Sequence, residues 1–349
     1  MATLRYFTWA LAVTVLGLFL GAWIGWSAEG TIQGALSVLF ICAVLSVLEI
    51  SLSFDNAIVN AKILKDMSAV WRRRFLTWGI LIAVFGMRIV FPLVIVAVAA
   101  ALDPWSALQL AISQPQEYAR ILTEAHVGIA AFGGSFLFMV GLSYFFDAEK
   151  EIHWFRALER RLSRVAVVQG AAVALVLLTL LLFSRLLPAE EGATFLHAGI
   201  WGLLVFLAVG ALGDIMDASQ SQMDVVHRTG AASFLYLEVL DASFSFDGVI
   251  GAFALSNNLF VIAIGLGIGA MYVRSMTVML VDRGTLGHYR FLEHGAFYAI
   301  LALAFIMYLQ TLLHIPEVLT GLIGAVLIGL SLWSSLRWKR RNPGLDDES

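Results

Sequence analysis

Two short segments, far apart in the chain, hold the acids whose types and spacing could do chemistry. The first reads Leu48-Glu49-Ile50-Ser51-Leu52-Ser53-Phe54-Asp55-Asn56-Ala57-Ile58-Val59. The second reads Leu240-Asp241-Ala242-Ser243-Phe244-Ser245-Phe246-Asp247-Gly248-Val249-Ile250. Each places one carboxylate, then five residues ending in Ser-Phe, then an Asp. Both lie inside long apolar stretches. An ionisable group in hydrocarbon is costly and marks a functional site by default. Its recurrence in two halves points to a chain built from repeats, with a cation site between them.

On an ideal helix each residue advances by about 100°. Glu49, Ser53 and Asn56 then share a stripe, with Asn60 one turn on. Asp241 and Ser245 form the matching stripe, with Glu238 before and Gly248 after. Asp55 and Asp247 lie about 120° off those stripes. An unbroken helix therefore cannot aim both acids of one copy at one small ion. Either the helix unwinds near Ser-Phe-Asp, or each acid faces a different partner, with Asp55 and Asp247 meeting across a two-fold. Gly248 would ease unwinding in the second copy.

The ligand candidates are the carboxylates of Glu49, Asp55, Asp241 and Asp247 and the amide of Asn56. Every donor is oxygen, which suits Mg²⁺, Ca²⁺ or Mn²⁺ better than Zn²⁺ or copper. Glu238, His126, His294, Ser53 and Ser245 are additional candidates as ligands or proton carriers. Arg88 and Arg274 are candidate counter-charges. Crowded buried acids raise one another's pKa, so metal binding would displace protons. The competing structural reading makes these acids interhelical hydrogen-bond or Arg partners. Two matched copies weigh against it.

The elements that must hold these residues span a membrane. The chain has 349 residues, 60% hydrophobic and 13% charged, where a soluble domain carries about 25% charged residues. Mean hydropathy is +0.87. The net charge of −3 says less than the arrangement of charge. The one cysteine, Cys42, excludes an internal disulfide and a thiolate cluster.

At about twenty apolar residues per span, the sequence predicts an all-α polytopic membrane protein with about ten helices. They cover 6–27, 33–61, 75–101, 125–146, 165–187, 195–213, 232–255, 258–281, 295–313 and 317–336. The first is too long for a signal peptide and reads as a retained helix. Basic residues gather in alternate segments: Lys62 to Arg74, Lys150 to Arg164, Arg228, Arg283 with Arg290, and Arg337 to Arg341. The segments between them are poor in bases, as in 103–124, where Arg120 is the exception. Both termini are therefore expected in the cytoplasm. The segment 147–164 reads as a surface helix with Trp154, Phe155, Leu158 and Leu162 on one face. The tail 344–349 reads as disordered.

On this count the two motif helices run antiparallel, so the repeats are inverted. Each copy opens a three-helix unit whose second helix holds an Arg (Arg88, Arg274). The third begins with a Glu and a His: Glu124 with His126, and Glu293 with His294. The expected organisation is an N-terminal helix (1–32), a first repeat (33–146), a cytoplasmic segment with two linker helices (147–231), a second repeat (232–313), and a C-terminal helix with its tail (314–349).

With these motifs in place the chain resembles the TerC-like integral membrane proteins, the tellurium-resistance C and Alx relatives in the LysE-like transporter group. The resemblance rests on Glu49 to Ala57, Phe246 to Ala254 with Ser256-Asn257-Asn258, and Phe291 to Ile300, and covers roughly 33–313. It implies manganese export or a part in metal and tellurite stress, with Glu49, Asp55, Asn56, Asp241 and Asp247 as metal-site residues. The family usually has Asp-Ser-Ile-Pro-Ala where this chain has Asp247-Gly-Val-Ile-Gly251. It often shows Gly-Leu-Arg where Gly267-Ile-Gly-Ala270 stands, and Arg274 lies one turn later.

The reading is an exporter of a divalent ion, Mn²⁺ first, with proton coupling, in a bacterial inner membrane. The alternative is a metal-binding membrane scaffold without net flux. An intramembrane protease would use paired Asp residues, but Val209-Gly-Ala-Leu-Gly-Asp214 lacks the first Gly of its motif and no Tyr-Asp pair occurs. No Walker loop, His-Glu-x-x-His or Gly-x-Ser-x-Gly is present. No enzymatic activity, organic cofactor or nucleic-acid partner is expected; the partners are the metal ion and the lipid bilayer.

Overall fold

The structure is a computed structural model that describes residues 4–147, 150, 152–165, 170–219, 230–253 and 255–342. Arg228 and the tail 344–349 lie outside these, as does the side chain of Asp247. The described residues form helices only: α1 (Leu4–Glu29), α2 (Ile32–Leu52), α3 (Phe54–Asp66), α4 (Ala69–Leu81), a π-helical segment (Ile82–Val90), α5 (Phe91–Ala99), α6 (Pro104–Ser113), α7 (Pro115–Glu124), α8 (His126–Phe145), α9 (Arg156–Val165), α10 (Ala171–Leu186), α11 (Ala189–Ser219), α12 (Gly230–Ala252), α13 (Leu259–Asp282), α14 (Thr285–His288), α15 (Leu292–Gln310) and α16 (Glu317–Arg341).

Eight of the described helical stretches are long and apolar enough to cross a membrane. They lie in α1, α2, the π segment with α5, α8, α11, α13, α15 and α16. The other two expected spans correspond to α10 and α12. α10 is apolar but has 16 residues, about 24 Å of helix against a core of about 30 Å. α12 is long enough but carries Glu238, Asp241 and Asp247. Segment 103–124, expected as a loop, forms α6 and α7. Asp103 accepts from the Trp105 and Ser106 amides at 3.0 and 3.1 Å, and prolines open both helices.

α8, α13 and α15 are the most buried of the spans, whereas α1, α2 and α16 turn most of their surface outward. Trp9, Phe19 and Trp23 of α1 and Leu322, Val326 and Trp333 of α16 are exposed. Such surfaces suit lipid rather than water. α2 packs on α13, and α12 packs on α4 and the π segment. Likewise α3 packs on α15, and α12 on α8. The contact of α2 with α13 is close because glycines face it. A Cβ on Gly265 would lie 2.6 Å from Leu45 Cβ, and one on Gly269 2.4 Å from Glu49 Cβ. The Ser46 hydroxyl donates to the Gly265 carbonyl at 2.9 Å across the same seam. Small residues that let backbones approach in this way are the usual means of packing helices in lipid.

The basic segments collect at one end of the bundle. The Arg283 guanidinium lies 5.9 Å from the Tyr6 ring, the Lys62 ammonium 3.1 Å from Glu293, and Arg290 4.6 Å from the Trp338 ring. The surface helix expected in 147–164 forms as α9, but its orientation differs. Phe155 and Leu158 are exposed while Glu159 is buried, because the acid finds donors inside that the apolar residues cannot use.

Gly269→Ala is expected to cost about 1–3 kcal/mol by overpacking this seam. Gly329→Ala, where a Cβ meets open space, should be neutral or gain up to about 1 kcal/mol. Thermal unfolding in detergent separates them; equal midpoints would contradict the close approach.

Candidate metal site

Most of the buried polar side chains belong to one group of helices. Ser46, Glu49, Ser53, Asp55, Asn56, Asn60, Arg88, Glu238, Asp241, Ser245, Arg274 and Thr277 are each less than a tenth exposed. They come from α2, α3, the π segment, α12 and α13. The expected single helix over 33–61 is interrupted at Ser53, whose φ of −105° and ψ of 18° separate α2 from α3. The interruption falls in the first copy of the motif. The second copy, where Gly248 seemed the softer point, runs unbroken through α12.

The break gives Asp55 a local partner: it sits in the first turn of α3, where its carboxylate accepts from the Asn56 amide at 2.9 Å. A negative charge is favourable at a helix N-terminus. Asp55 therefore faces a small cavity of about 20 Å³ between the break, α15 and α16, whose lining includes Thr320. The hydroxyl oxygen of Thr320 has no hydrogen-bond partner.

A second cavity, of about 30 Å³, lies on the other side of the break. A water needs about 10–15 Å³, so there is room for an ion-sized guest and little more. Glu49, Ser53, Asn56, Asn60, Arg88, Asp241, Ser245, Arg274 and Thr277 line it. The Asp241 carboxylate accepts from the Asn60 amide nitrogen at 2.7 Å. Three oxygens here have no partner: Asn56 Oδ1, Asn60 Oδ1 and Ser245 Oγ. Buried polar atoms seldom remain unpaired, and unpaired oxygens around a cavity suit a cation.

Glu49 and Ser53 line both cavities. Glu49 is ion-paired with Arg88, which also donates to the Ala83 carbonyl. The Ser53 hydroxyl donates to the same carboxylate at 3.2 Å. The Ala83 carbonyl lies in the π segment with Arg88 itself. Arg274 is held differently: its guanidinium lies 4.2 Å from the Phe75 ring, and its Nε and Nη2 have no partner. Both oxygens of Glu238 are also unpartnered. A Cβ on Gly79 would lie 2.9 Å from Glu238 Oε1 and 3.3 Å from Arg274 Nη1. The two charges thus meet the same glycine without forming an ion pair among the described residues.

The structure brings together Glu49, Asn56, Asp241, Ser53, Ser245, Arg88 and Arg274, and sets Asp55 apart. Glu238 lies beside Arg274 but does not line the ion-sized cavity. No three of the described His, Cys, Asp and Glu side chains converge so as to hold a metal; amide and hydroxyl oxygens would have to complete a shell. Asn60 and Thr277 belong to the site as well. Asn60 was marked by its spacing of four from Asn56, whereas Thr277 had no such signal.

The histidines are elsewhere. His126 opens α8 and lines neither cavity. His294 lies in a separate cluster at the basic end. Its Nε2 is 2.8 Å from the Ile152 carbonyl and 3.5 Å from Glu159, and its Nδ1 is 3.3 Å from the Tyr144 hydroxyl. It lines neither cavity. Glu159 also accepts from the Trp154 and Phe155 amides at 3.2 and 3.0 Å and from the Tyr298 hydroxyl at 3.1 Å. Burial pushes its carboxyl up, but the Phe155 amide, His294, Lys150 and Tyr298 together outweigh this and hold it below the usual glutamate range.

The fold and the site define a class: an all-helical protein with many membrane-length helices and a polar layer at its centre. The model of DUF475, a protein family of unknown function, matches residues 54–342, and the chain belongs to that family. The match opens one residue after the helix break. It takes in Asn56, Asn60, Arg88, Asp241 and Arg274 and leaves Glu49 and Ser53 before it. No curated protein and no solved structure matches the chain.

Arg88→Gln should lower stability by about 3 kcal/mol or more, because it strands Glu49 without its partner. The double substitution Glu49→Gln/Arg88→Gln should recover part of that loss. Additive losses in thermal unfolding would show that the pair does not interact. At the basic end, the stability that Glu159 contributes is complete above the usual glutamate range and is lost as pH falls through its lower folded value. The unfolding midpoint should therefore fall more steeply on acidification in the wild type than in Glu159→Gln; parallel profiles would refute this.

Proposed function

We propose that this protein is a secondary transporter that exports a divalent metal ion, with Mn²⁺ the leading candidate, through the cavity between α3, α12 and α13. The observation that carries the reading is the set of unpartnered oxygens of Asn56, Asn60 and Ser245 beside the Asp241 carboxylate. A hard cation takes such oxygens as ligands, and Mn²⁺ accepts them as readily as Mg²⁺ and Ca²⁺ do. The small volume favours an ion with few waters over an organic substrate.

Inverted repeats fit the packing. In the proposed pairing, the first helix of each unit packs on the second helix of the other, as α2 does on α13 and α12 on the π segment. The first helix also meets the other unit's third, as α3 does α15 and α12 does α8. A two-fold axis in the membrane plane would produce this reciprocity. The TerC-like resemblance of the two Asp motifs agrees with the same arrangement.

Glu238, close to Arg274 but not ion-paired with it, is the candidate for proton exchange, with Arg274 as a counter-charge. A buried carboxylate without a partner is stable only when neutral or newly supplied with a cation. The gathering of basic segments at one end supports cytoplasmic termini. In this reading Asp55 acts from the smaller cavity, at the break, rather than as a direct ligand of the ion.

Uptake of Mn²⁺, Mg²⁺, Ca²⁺ and Zn²⁺ into inverted membrane vesicles tests the proposal, because inversion turns cellular export into uptake. Asp241→Asn keeps the shape and removes the charge. It should reduce Mn²⁺ uptake about tenfold or more, the effect of losing about 1.4 kcal/mol of ion binding. Asp55→Ala and Asp247→Ala should also impair it. Metal binding that depends on Asp241 without flux of any ion would instead establish a membrane scaffold.

A further inference from the structure

The largest polar cavity among those described has no part in the cation site. It measures about 410 Å³ and is lined by His153, Trp154, Arg156, Arg160, Arg290, Phe291 and Trp338. That volume lies within the range of about 300–1,000 Å³ typical of small-ligand sites. Three guanidiniums and an imidazole share it with three aromatic rings, and no described acid lines it. It lies at the basic end of the bundle, where the last turns of α16 meet α9 and the start of α15.

The local structure explains how these charges are presented. Glu159 turns into the protein, where backbone amides and Tyr298 hold it. This fixes α9 with Arg156 and Arg160 on the cavity side. The two lie four residues apart, so they are neighbours on one helix face. Arg290 reaches the cavity from the opposite wall, where its guanidinium rests 4.6 Å from the Trp338 ring. Orientation in a membrane accounts for bases at this end in general, but not for three of them around one aromatic-walled cavity.

We propose that this cavity binds a phosphate group. Guanidinium forks match phosphate oxygens bidentately and are favoured for this role over ammonium groups. Two sources share the chemistry: the headgroup of an anionic lipid, and a free or soluble phosphate. The site stands at the end of a membrane-length helix, where basic pockets take lipid headgroups and Trp settles at the interface. The proposal does not depend on what crosses the cation cavity.

The full-length protein in detergent, followed by thermal unfolding, tests it with three probes: dihexanoyl phosphatidic acid, dihexanoyl phosphatidylcholine and inorganic phosphate. Phosphatidic acid should raise the midpoint saturably, and phosphatidylcholine should not. The variant R156Q/R160Q/R290Q should need about tenfold or more phosphatidic acid for half the shift, as expected for lost charge-assisted hydrogen bonds. The control K65Q/R73Q/R74Q, which removes as much charge at the same end, should titrate like the wild type. Inorganic phosphate that matches phosphatidic acid would assign the site to a soluble phosphate; phosphatidic acid alone would assign it to lipid. No saturable shift with either probe, or equal shifts in the wild type and the pocket variant, would overturn the proposal. The single variants R156Q and R160Q, at exposed positions of α9, apply the same criterion where the triple variant does not fold.

Discussion

Everything at the centre of this protein turns on how the buried Glu49 is held by its partners. A carboxylate deep in a bundle of membrane-length helices needs a cation and hydrogen-bond donors at once, or it neutralises. Arg88 supplies the cation and Ser53 a donor. Arg88 can reach because the π segment that carries it also offers the Ala83 carbonyl to the guanidinium. The carboxylate is held in place by the seam with α13, where Gly269 admits the Glu49 stem against its backbone. These are two separate conditions, one electrostatic and one steric, and both act on the same side chain.

The interruption at Ser53 then decides what the remaining acids can do. In an unbroken helix the backbone of the Ser-Phe-Asp turn would be committed to the ladder. With the break, Asp55 becomes a first-turn residue of α3 and answers the Asn56 amide. Asn56 and Asn60 are turned toward Asp241, and one wall, Glu49 with Ser53, serves two cavities. The asymmetry between the motif helices follows from their neighbours as much as from their sequences. Past its break the first copy packs α3 against α15, whereas the unbroken α12 packs on α8 and the π segment.

Much of this was legible in the sequence, and for identifiable reasons. The repeated Ser-Phe-Asp motif marked the polar layer, because acids in apolar runs are expensive enough to be signals. The i, i+4 arithmetic placed Glu49, Ser53, Asn56 and Asn60 on one face, and they do line one cavity. Apolar run length located the spans, although ten expected helices resolve into eight clear ones, the short α10 and the acid-bearing α12. Gly248 misled, since a glycine permits unwinding without causing it. His294 misled as well. Its position beside Glu293 matched the first repeat, but a histidine at a helix start takes its partners from whatever segment covers it, and here that is the Ile152–Glu159 turn. No periodicity within α15 could have announced that cover.

The two halves of the polar layer are unequal in one further respect, and it bears on how such a site could work. Glu49 and Arg88 are paired, whereas Glu238 and Arg274 converge on Gly79 and stay apart. A paired buried couple is a fixed element, because separating it strands a charge at a cost of about 3–5 kcal/mol. An unpaired couple in the same layer is the opposite: its members gain from any change that brings them a partner. Arg274 now rests against the Phe75 ring, a softer attachment than a carboxylate. A site with one locked and one unlocked charge pair has a scaffold on one side and a responsive wall on the other. The cavity of about 30 Å³ is lined by Arg88 from the locked pair and Arg274 from the unlocked one. Arg88 is tied to a carboxylate and a backbone carbonyl, whereas Arg274 rests on an aromatic ring, so the wall built on α13 is held less tightly at this cavity than the wall built on the π segment.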